Sequence, residues 1–82
     1  MPRFFFHTQD GAAVRDEEGV ELIDLEHAKI EGAGLLAEML RSNPEEFWRS
    51  QSLSLTVSDG EGLTYFVIDV AAITSPAAPA EA

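Results

Sequence analysis

The sequence predicts a small α+β domain: an antiparallel sheet of about four strands with one long helix packed on one face. Three observations predict it. Residues Ser52–Ser58 alternate strictly between hydroxyl and apolar side chains, the period of a half-buried strand. Between Leu25 and Arg41 apolar residues recur at helical spacing. Glycine-bearing acidic turns separate short extended runs near both ends of the chain. The predicted order is β-β-(β)-α-(short α)-β-β, and a helix laid across an antiparallel sheet is the simplest two-layer solution.

The aromatic run Arg3–Thr8 reads as the first strand. Asp10-Gly11 is a hairpin signal, because glycine tolerates the positive φ such turns require. Ala12–Arg15 returns as a short second strand after a loop of two or three residues. Asp16-Glu17-Glu18-Gly19 turns again and leads into a short extended piece, Val20–Leu22. Asp24 is placed to cap a helix, and Glu26 suits the positive end of its dipole. Leu25, Ala28, Gly32, Leu35, Leu36, Met39 and Leu40 share one stripe of that helix, and Gly32 permits close approach to a sheet. Asn43-Pro44-Glu45-Glu46 starts a second, short helix carrying Phe47 and Trp48. Asp59-Gly60-Glu61-Gly62 joins Ser52–Ser58 to a last strand, Leu63–Val70, apolar on both faces. A two-residue loop at Gly60-Glu61 places Leu53 opposite Ile68 and Leu55 opposite Phe66. An odd-length loop places Asp69 beside Leu53, so the first register is preferred.

Eighty-two residues allow one domain, assigned to residues 1–70, with 71–82 a disordered Pro/Ala-rich tail. A chain this short buries only about 60% of the surface its unfolded form exposes, too little for a deep active site. Function is therefore expected on a surface or at a subunit interface. Fifteen acidic residues against five basic ones give a formal net charge of −10, and the five cations are scattered. That field repels phosphates, so neither nucleic acid nor an anionic membrane is an expected partner. The absence of cysteine excludes disulfide frameworks, zinc fingers and thiol catalysis. No run reaches transmembrane length, and Phe4–Phe6 is too short for a signal sequence; the expected location is cytoplasmic.

The opening MPRFFFHTQDG, followed by RDEEGVEL and DLEHA, resembles a family of small uncharacterised bacterial proteins. Its members typically open MPRYFFH, then carry a DG turn and D-E-x-G-x-E-L-x-D-L-x-x-A. The likeness spans roughly residues 1–70 and is most specific in the first thirty. Phe4 stands where tyrosine is usual and Ile23 where proline is common. The family carries no assigned activity, so the resemblance implies a bacterial cytoplasmic domain and transfers no catalytic residue.

His7 lies near the acids of the 16–18 turn and is a weak candidate metal ligand; the plainer reading is a hydrogen-bonded structural histidine. His27 falls on the polar side of the helix. Asp16, Glu17, Glu18 and Glu21 lack calcium-loop spacing, as does Asp59–Gly62, and turn chemistry accounts for both. Ser52, Ser54, Thr56 and Ser58 have no histidine at a nucleophile-motif spacing, and there is no phosphate loop. No cofactor and no catalytic residue is expected.

Unpartnered apolar surface remains. The helix stripe spans roughly 140°, and Ile30, Ala33 and Ala37 widen it to roughly 220°, more than one sheet can cover. Tyr65, with Leu63 and Val67, is expected on the sheet face away from the helix. Trp48, beside Phe47, reads as a lid on the core or as an interface anchor. The expectation is a non-enzymatic protein-interaction module, either a homodimer or a subunit binding another protein. The alternatives are a small metal- or ligand-binding protein using His7, and an acidic antagonist of a basic protein.

Overall fold

In a computed structural model, which describes residues 1–79, the alternation of Ser52–Ser58 sets the frame of the fold. The elements are β1 (Arg3–Gln9), β2 (Ala13–Val14), β3 (Val20–Glu21), α1 (Leu25–Ser42), α2 (Pro44–Ser50), β4 (Ser52–Ser58) and β5 (Thr64–Ala71). The sheet order is β2-β1-β4-β5, antiparallel throughout, with β3 also paired to β1. β4 is central, and its Leu53, Leu55 and Val57 are buried beneath α1. Burying a side chain the size of Leu55 contributes about 1.5–3 kcal/mol. Phe4, Ala28 and Leu36 complete the fully buried set.

The helix begins where a capping residue stands. The Asp24 carboxylate accepts the His27 backbone N–H at 3.0 Å, and the helix continues to Ser42. Gly32 sits at its closest approach to the sheet. A Cβ built there would lie 2.9 Å from Leu55 Cδ2 and within 4 Å of Phe66 and Ile68, so α1 crosses between β4 and β5. Asn43 ends α1 and starts α2, but its side chain makes no capping bond; Pro44 supplies the start instead.

The first hairpin loop has three residues, one of the two lengths the sequence allowed, with Gln9 opposite Ala13 and Gly11 at φ +104°. Two expectations need correction. The β4–β5 register is displaced by two: Leu53 faces Val70, Leu55 faces Ile68 and Val57 faces Phe66. The cause lies in the turn. Asp59 Oδ1 accepts the N–H groups of Glu61 and Leu63 at 2.8 and 2.9 Å, closing an odd, three-residue loop. That loop alone would bring Asp69 against Leu53. A bulge restores the parity: Ser58 pairs with Thr64 and Val57 with Phe66, leaving Tyr65 as the extra residue. Second, Tyr65 is therefore not simply aligned with Val67 on the open face; its ring meets the edge of Phe4, centroids 5.6 Å apart.

Beyond β5 the Ala72 N–H donates to the Gln51 carbonyl at 3.0 Å, and Ser75–Ala78 forms a turn. Part of the tail expected to be disordered, residues 80–82, lies outside the described residues.

Candidate functional site

The acidic turn and the first histidine form one polar node. β2 is only two residues long because the chain leaves the sheet at Arg15. In place of a strand, the Asp16 carboxylate reaches back to the edge of β1. It accepts the Phe6 N–H at 3.0 Å and also the N–H groups of Glu18 and Gly19, at 3.1 and 3.0 Å. Gly19 makes this possible: its φ is +70°, and a Cβ would lie 2.9 Å from Arg3 Cγ and 3.0 Å from the Phe4 carbonyl. Partial burial pushes the Asp16 carboxyl upward, but the three backbone donors, with a smaller contribution from His7, outweigh it and hold the group below its ordinary value of 3.8.

His7 completes the node. The Asp16 backbone N–H donates to His7 Nδ1 at 3.0 Å, so Nδ1 keeps its lone pair. Nε2 then carries the proton and donates to Ser58 Oγ at 3.0 Å, and Ser58 Oγ donates to the Asp59 carbonyl at 3.0 Å. A base that activates a serine must accept that serine's proton through a free nitrogen, with a carboxylate behind it. The polarity here is reversed, and Ser58 is buried. Neither ring nitrogen is free to bind a metal. Among the described residues no group of three or more acidic or histidine side chains is placed to hold one. A cleft of about 270 Å3 beside the node, bordered by Phe5, Arg15, Glu17 and Asp59, is lined mainly by polar groups. The His7–Ser58 contact joins residues 51 apart and has no local sequence signal.

His27 is exposed and lies 2.6 Å from Asp24 Oδ1 through its Nδ1. That contact, with the His27 backbone N–H, lowers the Asp24 carboxyl. Glu21 pairs with Arg3 at 3.3 Å. The acidic residues thus serve turns, caps and surface pairs.

The apolar candidates are dispersed differently from expectation. Phe47 packs against the core, whereas Trp48 is 54% exposed and touches Phe47 edge-to-face at 5.8 Å; the two do not form a common lid. Ile30 is 72% exposed on α1, with Ala33 and Ala37 exposed near it. Val67 is 51% exposed on β5. Leu35 and Met39, on one flank of α1, border a groove with Phe6, Thr8 and Val14 on the β1 side. At 100° per residue Ile30, Ala33 and Ala37 lie about 100–160° round the helix from the sheet-facing Gly32, so they are turned away from the sheet. Among the described residues no strand pairs with the outer edge of β5.

A family model matches residues 3–71, from the first residue of β1 to the last of β5. The chain belongs to DUF6894, a domain of unknown function. No curated protein and no solved structure matches it. The DUF6894 match takes in both the polar node and the β5 edge, and ends where the sheet ends. No described helix of the domain is long and apolar enough to cross a membrane.

Proposed function

We propose that this domain is a non-enzymatic protein-interaction module, working in the cytoplasm, whose outer β5 edge takes up a strand of a protein partner. One observation carries the reading: β5 is eight residues long and unpaired on its outer side among the described residues. An edge strand displays a row of free N–H and C=O groups that invites pairing. Natural edges are commonly guarded by lysine, proline, inward charge, a bulge or short length; of these β5 has the bulge at Tyr65, close to its start, which leaves Phe66–Ala71 regular. Thr64–Ala71 contains no lysine and no proline, and its one charge is Asp69. Added strands gain affinity from main-chain bonds and specificity from alternating side chains.

The polar node favours this reading over an enzyme. Its histidine and serine are committed to structural hydrogen bonds in the wrong direction for catalysis. The net charge of −10 favours a neutral or basic protein surface over a phosphate-bearing partner. The cytoplasmic assignment rests on the cysteine-free composition, which suits a reducing compartment.

The test is affinity capture from the native cell with wild type and Val67→Glu side by side, both checked for folding by circular dichroism. The reading expects a bound protein, whether a further copy or another chain, whose recovery falls sharply with Val67→Glu. Recovery indifferent to that change overturns the assignment of the edge.

A further inference from the structure

We propose that the groove between α1 and the β1–β2 half of the sheet docks a cationic amphipathic helix of a partner protein. The site is separate from the β5 edge, which lies at the other border of the sheet.

The sheet is wider than its helix. Gly32 lies over Leu55 of β4 and beside Phe66 and Ile68 of β5, which seats α1 above these two strands. Strands lie about 4.8 Å apart and a helix is about 10–12 Å across, so one helix covers about two strands. Four stand side by side, in the order β2-β1-β4-β5. Phe6 pairs with Val57, and Thr8 with both Leu55 and Val14, so Phe6, Thr8 and Val14 are on the sheet face that α1 occupies. Phe6 is nevertheless only half-buried, and Val14 is 61% exposed. The place for a second helix lies two strand spacings from α1, about 10 Å, over β1 and β2. Helices pack at about 8–10 Å, so a helix there meets the flank of α1 and the sheet together.

The groove has the matching length. Its two parts, about 520 and 250 Å3, meet at Met39. Phe6 and Leu35 floor the first part, and Leu53 and Phe47 the second. From Leu35 to Ser42 α1 rises about 10 Å, the length of about two turns of a facing helix. Apolar anchors at i, i+4 and i+7 of a docked helix span that distance.

The rim selects the charge of the occupant. Asp10, Asp16, Glu17, Glu18 and Glu38 line the two parts, against one cation, Arg15. Asp16 is committed to backbone N–H groups, and Glu38 pairs with Arg41. Asp10, Glu17 and Glu18 make no ion pair among the described residues, and the other cations, Arg3, Lys29, Arg41 and Arg49, are already paired elsewhere. Complementary charge must therefore come from outside the chain. A second copy does not supply it. In α1, Glu26, Glu31 and Glu38 stand against Lys29 and Arg41, and in α2, Glu45 and Glu46 stand against Arg49, so neither helix is cationic. A helix with an apolar stripe flanked by lysine or arginine satisfies floor and rim together.

The probe is a fluorescein-labelled synthetic peptide of about 18 residues, with leucine at i, i+4 and i+7 and lysine on both flanks, titrated with the full chain near physiological salt. A peptide of the same residues in scrambled order, without the apolar stripe, is its control. The designed peptide is expected to bind with Kd on the order of 10 µM, to gain helical circular dichroism on binding, and to shift the amide resonances of Phe6, Val14, Leu35 and Met39. Val14→Lys, at an exposed floor position, should weaken binding at least ~tenfold. Glu17→Gln with Glu18→Gln should weaken it about three- to tenfold. Glu61→Gln with Asp69→Asn removes the same charge at exposed residues outside the groove and should leave Kd nearly unchanged. Circular dichroism of each variant checks that the fold is retained. No saturable binding below about 1 mM overturns the proposal. Equal binding of the scrambled peptide, or equal weakening by the Glu61 and Asp69 pair, overturns it too, because net charge alone then explains the attraction. Amide shifts confined to β5 would refute the groove while leaving the edge reading intact.

Discussion

The two edges of the sheet are built in opposite ways. On the β1 side, β2 and β3 each cover two residues, and the Asp16 carboxylate accepts the Phe6 N–H between them. A glycine held at positive φ and an Arg3–Glu21 pair finish that border. On the β5 side, an eight-residue strand, bulged only at Tyr65 near its start, faces outward with one carboxylate in it. A chain that closes one edge with a side-chain carboxylate, a glycine at positive φ and two short strands has the means to close the other. Leaving β5 open, when the same chain closes its other edge so fully, is what suggests a docking edge.

The largest expected effect breaks both edges together. Leu55 is fully buried in the central strand, beneath Gly32, and both outer strands depend on that seat. Leu55→Ala is expected to cost about 2–5 kcal/mol in urea denaturation. The whole domain has only about 4–12 kcal/mol to lose. Phe66→Ala should cost less, because Phe66 is only half-buried. If Phe66→Ala proves the more damaging, the core is centred on β5 and the comparison of edges loses its common base.

The next effect is confined to the closed edge. Asp16→Ala removes the acceptor of three backbone N–H groups and is expected to cost about 1–3 kcal/mol. Amide exchange at Phe6 should speed up while β5 amides keep their rates. The same carboxylate predicts a pH dependence. Its folded-state value is depressed, so the unfolded chain binds the proton first on acidification. The stability it contributes is complete above the ordinary value of 3.8 and is lost as pH falls through the lower, folded value. Asp24 is also depressed and acts with the same sign. Urea midpoints of wild type and Asp16→Asn should therefore converge as pH drops below about 4. Parallel curves would show that the carboxylate does not close the edge.

Sequence legibility divided along the same line. Strict alternation located β4 to the residue, and Asp24 and Pro44 marked both helix starts, because each signal is local. The parity argument for the β4–β5 pair was sound, yet the register moved by two. Parity can be restored by a bulge as well as by loop length, and the extra residue at Tyr65 leaves no mark in the sequence. The His7 node was legible only as a histidine near acids. Its direction depends on which Asp16 group, the N–H or the carboxylate, reaches the ring, and that is set by the loop geometry. Trp48 and Phe47 are neighbours on a helix and so point about 100° apart; one can face the core only if the other turns away.

Smaller still is the effect expected at the open edge within one chain. Val67 is half-exposed, and exposed substitutions usually stay within about 0.5 kcal/mol. Val67→Glu measured on dilute monomer, where association does not contribute, should therefore leave the urea midpoint almost unchanged. A loss comparable to that of Asp16→Ala would mean that β5 needs Val67 for its own fold, and the two edges would differ in degree only.

The smallest effect concerns the end of the open edge. The tail from residue 71 onward was expected to be disordered, but Ala71 belongs to β5 and the Ala72 N–H bonds to the Gln51 carbonyl. The boundary is therefore better drawn after Ala72. One neutral backbone hydrogen bond contributes about 0.5–1.5 kcal/mol, and about 1 kcal/mol moves the Tm of a domain this size by roughly 4–8 °C. Truncation after Ala72 should leave Tm unchanged within a degree or two (roughly), because Ile73 is almost fully exposed. Truncation after Ala71 should lower Tm by several degrees, to about the extent of that one lost bond. Equal Tm values for the two truncations would show that the Ala72–Gln51 bond does not hold the end of β5 in place. The ordered edge available to a partner would then stop short of Ala71.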